Sequence, residues 1–88
     1  MAMRIIYDKE AVKALARMPA TDARRIRQKV QQYAENPASL ANNVKKLQGV
    51  DYYRLRVGDW RVIFTEDGLI IDVIRIAGRG DVYKGLEP

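Results

Sequence analysis

The stretch from Tyr52 to Ala77, YYRLRVGDWRVIFTEDGLIIDVIRIA, decides the fold. Apolar residues recur at every second position through Leu55, Val57, Trp60, Val62 and Phe64. That period belongs to strands with one buried face. Three strands are predicted, Tyr52–Val57, Trp60–Thr65 and Leu69–Ala77. Gly58-Asp59 fits a two-residue hairpin turn with glycine first, and Asp67-Gly68 is a strong hairpin signal. With Gly58-Asp59 as the loop, Val57 pairs with Trp60, Arg56 with Arg61 and Leu55 with Val62. Side chains alternate across a strand. One face then carries Leu55, Val57, Trp60, Val62 and Phe64, and the other carries Arg54, Arg56 and Arg61 with Tyr52 at one end. Directly opposed like charges cost from a few tenths to about 1 kcal/mol. Gathered guanidiniums make a site for phosphate, which arginine grips bidentately. The plainer reading is a solvent-facing set of arginines neutralised by Asp51, Asp59 or Asp72. A three-residue loop would flip one strand and scatter the cluster, because register decides the face.

Upstream, the period changes from two to helical. Met3–Tyr7 is a short isoleucine-rich run and reads as a strand. Asp8 is placed to cap a helix from Glu10 to Met18, with Ala11, Leu15 and Met18 on one face and Val12 beside them. Pro19 ends that helix or opens the next. Thr21 or Asp22 is placed to cap a second helix running to about Glu35, whose apolar face is Ala23, Ile26, Val30 and Tyr33. Arg24, Arg25, Arg27 and Lys29 mostly face elsewhere, and Asn36-Pro37 stops the helix. The short Met18–Thr21 link makes the pair a helical hairpin. Pro37–Asp51 shows little regularity and holds the basic pair Lys45-Lys46. The third strand is apolar almost throughout, interrupted by Asp72 and Arg75, which suits a central strand covered on both sides. Gly78 and Gly80 bracket Arg79, and Tyr83 follows in a short C-terminal tail. The expectation is an α+β fold of order β-α-α-β-β-β, with a helical hairpin packed on a mainly antiparallel sheet, and residues 1–88 as a single domain.

Composition narrows the chemistry. Eighty-eight residues hold no cysteine and no histidine. Disulfide staples, thiolate zinc sites, the usual metal ligand and the commonest general acid/base are therefore excluded. Sixteen Lys and Arg against eleven Asp and Glu give a net charge of +5. Such an excess on a small domain points to an anionic partner, nucleic acid or acidic protein, or else to a solvated basic surface. No segment approaches the ~18 consecutive apolar residues of a membrane span, and Met1–Glu10 does not read as a signal peptide. A soluble, cytoplasmic protein is expected.

The sequence resembles the RelE/ParE superfamily of bacterial and archaeal type II toxins. The resemblance covers almost the whole chain. It rests on the N-terminal strand, the helical hairpin with its proline, the segment VKKLQGVDYYRLRVGDWRVIF, and the closing AGRGDVYK. Its most specific element is YRLRVGDWRVIF followed by RGDVY. For a RelE-like member it implies a ribosome-dependent endoribonuclease that cuts mRNA in the decoding site. The family's basic side chains on the sheet match Arg54, Arg56 and Arg61, and its late catalytic arginine and C-terminal tyrosine match Arg79 and Tyr83. The catalytic set so implied is Arg54, Arg61, Arg79 and Tyr83, with Lys45, Lys46, Tyr52 and Arg56 holding RNA phosphates. Cleavage by 2′-hydroxyl attack needs no metal or other cofactor, only a base, an acid and cations for the phosphorane. The best-studied ribosome-dependent members carry lysines where this chain has Tyr52 and Arg54, and relatives often place a histidine or second basic residue where it has Gly78 and Gly80. Arginine does not serve as a base, so Tyr83 becomes the base candidate, its phenolate favoured by neighbouring arginines.

Two other functions fit the same scaffold: a ParE-like toxin that inhibits DNA gyrase by binding it, and a non-catalytic nucleic-acid-binding module. The Arg54, Arg61, Arg79 and Tyr83 set favours the ribonuclease. The implied partners are the ribosome, mRNA and a cognate antitoxin, the last as an acidic amphipathic segment that folds on the basic toxin in a hetero-oligomer. No membrane partner is expected.

Overall fold

A computed structural model describes residues 2–78 together with 80 and 81. Strand β1 (Arg4–Tyr7) leads into helices α1 (Lys9–Arg17) and α2 (Ala20–Glu35). A 3-10 turn over Pro37–Leu40 precedes β2 (Val44–Lys46), β3 (Tyr53–Val57), β4 (Trp60–Glu66) and β5 (Ile70–Gly78). Among the described residues the strands form one sheet in the order β1-β5-β4-β3-β2. All neighbours are antiparallel except β1 and β5, which run parallel. The α+β class and the helical hairpin on a mainly antiparallel sheet are as the sequence predicts.

Strand β2 was not expected, since Pro37–Asp51 reads as irregular. Three residues, two of them lysines, give no alternation to detect, and their strand state comes from pairing with β3. Both helix caps also differ from expectation. Asp8 stands at the start of α1 but its side chain caps nothing. Helix α2 begins at Ala20 behind Pro19, whose carbonyl accepts the Asp22 and Ala23 N–H groups, so Thr21 and Asp22 lie inside the first turn.

The helices cover one face of the sheet. Ala11, Leu15 and Met18 from α1 and Ala23, Ile26, Val30 and Tyr33 from α2 meet Leu55, Val57, Val62, Phe64, Ile71, Val73 and Ile76 in a single buried cluster. Val12, beside that stripe, is half exposed. Phe64 is the hub of an aromatic group, with Tyr33 at 5.1 Å, tilted by 60°, and Tyr53 at 5.5 Å, nearly parallel at 19°. Tyr33 Oη donates to Glu66 Oε2 at 3.3 Å. Burial, then the Glu66 charge and this bond, push the phenol up to about 12. Burial also raises the Tyr7 phenol, against a smaller opposing pull from Arg27. At the far end Trp60 Nε1 donates to Asp22 Oδ2 at 3.1 Å, tying the first hairpin to the start of α2.

The first hairpin has the predicted register, Val57 with Trp60, Arg56 with Arg61 and Leu55 with Val62. Gly58 has φ of 58°, and no described non-glycine residue has positive φ, so Asp59 stays in the ordinary region as a type II′ turn requires. The second turn sits one residue later than Asp67-Gly68. Asp67 N–H donates to the Ile70 carbonyl, leaving Gly68, with φ of 88°, and Leu69 at the tip. The Asp67 carboxylate accepts the Leu69 and Ile70 N–H groups, both at 2.9 Å. Those bonds, Ile70 first, lower its pKa.

Strand β5 is central, but only one of its faces lies under the helices. Ile70, Asp72, Ile74 and Arg75 are partly exposed on a sheet face that no described element covers. The strand also contains a bulge. Ile63 pairs with Arg75 but Phe64 pairs with Val73, so Ile74 is an extra residue.

Candidate functional site

The sheet face that no described element covers is where Arg54, Arg56 and Arg61 meet. Lys45 on β2 pairs with Arg54 on β3, Arg54 with Ile63 on β4, and Ile63 with Arg75 on β5. These four residues form one row across four strands. The next row is Arg56, Arg61 and Ala77. Four arginines and a lysine therefore share a face. Ile63, in the middle of the first row, is fully buried yet stands outside the main core cluster. Its cross-strand neighbours on this face are Arg54 and Arg75, and aliphatic arginine stems cover apolar surface while their heads stay polar.

Arg56 and Arg61 are directly opposed, as the hairpin register dictates. The clash is relieved locally. Arg61 Nη1 donates to the Gly58 carbonyl at 2.8 Å and to the Trp60 carbonyl at 3.0 Å, so the guanidinium folds back over the turn. Part of its donor fork is committed to backbone, which fixes where the charge sits.

The remaining candidates divide. Tyr52 precedes β3, and its carbonyl accepts the Leu47 N–H, continuing the ladder beyond the strand. It is partly buried and two residues from Arg54, on the same side by alternation. Lys46 pairs with Tyr53, which packs against the core, so it belongs to the opposite face from Lys45. Its Nζ lies 3.9 Å from Asp51 Oδ1. Arg79 and Tyr83 lie outside the described residues.

Arg75 was noted in the sequence only as an interruption of an apolar strand. Strict alternation from Ile71 and Val73 would place it inside the core. The bulge at Ile74 shifts the phase, so that Ile76 takes the next core position and Arg75 emerges on the arginine face. A charged residue in phase with a buried run is the one sequence signal of such a bulge.

The same face has an acidic boundary. Asp72 pairs with Thr65 and lies beside Ile6 of β1. A hydrogen bond with the Asp8 carboxyl, then burial, then the Asp8 charge push Asp72 up to about 6. Among the described residues no group of three or more carboxylates is placed to hold a metal ion. No described helix is long and apolar enough to cross a membrane.

The β-α-α-β-β-β-β scaffold has known counterparts. Residues 5–83 match the family model described as ParE toxin of the type II toxin–antitoxin system parDE. The chain belongs to the RelE/ParE superfamily of type II toxins. The toxin is 31% identical over 85 residues to Toxin RelE3 of Methanocaldococcus jannaschii, covering 92% of this chain and 96% of that one. Among solved structures, the archaeal RelE–RelB complex from Pyrococcus horikoshii is similar with a TM-score of 0.77 at 31% identity, over 93% of this chain and 100% of its counterpart. The RelB–RelE complex from Methanococcus jannaschii has a TM-score of 0.71 at 28% identity, over 93% and 99%. The toxin thus shares both its layer order and its length with these relatives.

Proposed function

We propose that the toxin is a ribosome-dependent endoribonuclease that cleaves mRNA in the decoding site. The observation that carries this reading is the face on which Arg54, Arg56, Arg61 and Arg75 share one side of the sheet, with no helix over them among the described residues. The identity of 31% to a protein named Toxin RelE3 supports it. In this reaction the 2′-oxygen of one nucleotide attacks the adjacent phosphorus. The bond from phosphorus to the 5′-oxygen of the next nucleotide breaks, leaving a 2′,3′-cyclic phosphate and a 5′-hydroxyl. The 2′-hydroxyl proton passes to a base, for which Tyr83 is our assignment, and the leaving 5′-oxygen takes up a proton. Arg54, Arg61 and Arg79 supply fixed positive charge to the phosphorane, which carries more negative charge than the ground state. Arg56, Lys45 and Tyr52 hold the flanking RNA, while Lys46, on the other face, takes no part.

Primer extension on a translated mRNA, with and without ribosomes, tests this. New 5′ ends are expected within codons only when ribosomes are present. Their absence in both reactions overturns the reading.

The family model's description favours a second reading, in which the toxin binds and inhibits DNA gyrase. Loss of gyrase supercoiling activity, with mRNA left intact, would establish it instead. Under either reading the toxin is held by a cognate antitoxin in the cytoplasm. The two archaeal structures are RelE–RelB complexes, and the +5 charge suits an acidic amphipathic segment. Co-expression with the product of the adjacent reading frame is expected to give a stable complex and restore growth.

A further inference from the structure

We infer that Arg75 is a phosphate-contacting residue, and that single-stranded RNA crosses the sheet along the row Lys45, Arg54, Arg75 rather than along the strands. The inference deepens the ribonuclease reading and takes its ligand class from it.

The bulge is the first ground. A strand with Ile71, Val73 and Ile76 in the core needs one extra residue between the second and third, and that residue is Ile74. Its effect is to bring a guanidinium out of phase with the core and into line with Arg54. Bulges that re-aim one side chain are concentrated beside functional sites.

The row itself is the second. Adjacent strands lie ~4.8 Å apart, so Lys45 to Arg75, three strands over, spans about 14 Å. At the ~3.4 Å rise of a stacked strand this covers about four nucleotides. Ile63, between Arg54 and Arg75, contributes no charge of either sign, so the charged side chains of the row are all cationic. In the neighbouring row Arg61 is tethered to the turn carbonyls and Ala77 offers no charge, so that row is shorter.

The third ground is the boundary. Along β5 the residue on this face before the bulge is Asp72, backed by Asp8. A phosphate chain following β5 toward its start would meet carboxyl groups. Crossing the strands avoids them, and Tyr52, on the Arg54 side, offers a ring for a base to stack on.

The test is fluorescence anisotropy with a labelled 2′-O-methyl RNA of about 12 nucleotides, which binds but has no free 2′-hydroxyl to react. Binding is measured over a series of salt concentrations. Arg75→Gln is expected to weaken binding several-fold and to flatten the slope of log Kd against log salt by about 0.7, the share of one phosphate contact on a single strand. Arg75→Lys is expected to keep the slope, and a circular-dichroism melt of each variant checks folding. Lys29→Gln, an equal loss of charge on α2, is expected to leave the slope unchanged. An unchanged slope in folded Arg75→Gln, or an equal loss in Lys29→Gln, overturns the inference. So does a wild-type toxin that fails to bind at ~100 μM, the weak limit for non-specific contacts. The ribonuclease reading is judged separately, by primer extension on ribosomes.

Discussion

Arg54 and Arg61 lie on the same face of the same hairpin, yet they answer to different neighbours. Arg61 leans on the carbonyls of Gly58 and Trp60, at the exposed end of the turn. Arg54 stands beside fully buried Ile63. Arg61→Ala is therefore expected to lower stability by no more than about 1 kcal/mol, the net worth of an ordinary hydrogen bond. If Arg61 steadies the phosphorane, the same change should lower the cleavage rate by ~10²–10³. Single-turnover cleavage set against thermal unfolding separates the two effects. Arg54→Ala is expected to register in both measurements, because losing the stem uncovers Ile63; Arg54→Met should recover the folding loss but not the cleavage. At the tail, Tyr83→Phe tests the base. With Tyr83 as base, cleavage is expected to fall by ~10²–10⁴, and the rise of rate with pH expected of the wild type to disappear. A Phe variant that cleaves normally would remove Tyr83 from that role.

Among the elements, what was legible depended on how local the cause is. Gly58-Asp59 sets its own turn geometry, so the first hairpin, its register and the arginine face could be read from the residues between Tyr53 and Phe64. The buried stripes of α1 and α2 followed from helical spacing alone. Strand β2 is different, since its three residues are extended because β3 is beside them. The bulge in β5 is a compromise between two strands, and in IIDVIRI only the charge of Arg75, in phase with Ile71 and Val73, signals it. The site inherits this division. Arg54, Arg56 and Arg61 share the face that the hairpin register predicts, Lys45 and Lys46 fall on opposite faces, and the sequence gives Arg75 no role. Deleting Ile74 probes the compromise directly. Val73, Arg75 and Ile76 then alternate strictly, which keeps Arg75 on the arginine face and Ile76 in the core without the bulge. We expect cooperative unfolding to be retained in that variant. Ile74→Ala keeps the backbone count and should cost less than about 2 kcal/mol, as for a partly exposed side chain. Urea unfolding of both variants checks these outcomes.

For the molecule as a whole, charge is unevenly shared. Between Lys9 and Glu35 the helical layer holds Lys9, Lys13, Arg17, Arg24, Arg25, Arg27 and Lys29 against Glu10, Asp22 and Glu35, so most of the net +5 lies on the side away from the arginine face. The arginine face gathers its own cations, Lys45, Arg54, Arg56, Arg61 and Arg75, independently of that helical charge, and its acidic end makes stability depend on pH. Asp72 is raised from 3.8 to about 6 in the folded chain. Below pH 3.8 it is protonated whether folded or unfolded and costs nothing. As pH rises toward 6 the unfolded chain ionises first, so stability falls, and above 6 the loss is complete. Asp72→Asn lacks this dependence. Urea midpoints at several pH values are expected to converge for the two proteins in acid and to separate in favour of the Asn variant by pH 7. Trp60 gives the experimenter a further handle. It is the chain's one tryptophan, and its indole bridges the sheet to Asp22 at the first turn of α2. Its emission colour is thus a built-in gauge of whether the two layers are closed on each other. A ligand that pries the helices from the sheet would redden it, whereas RNA confined to the opposite face would leave it unmoved.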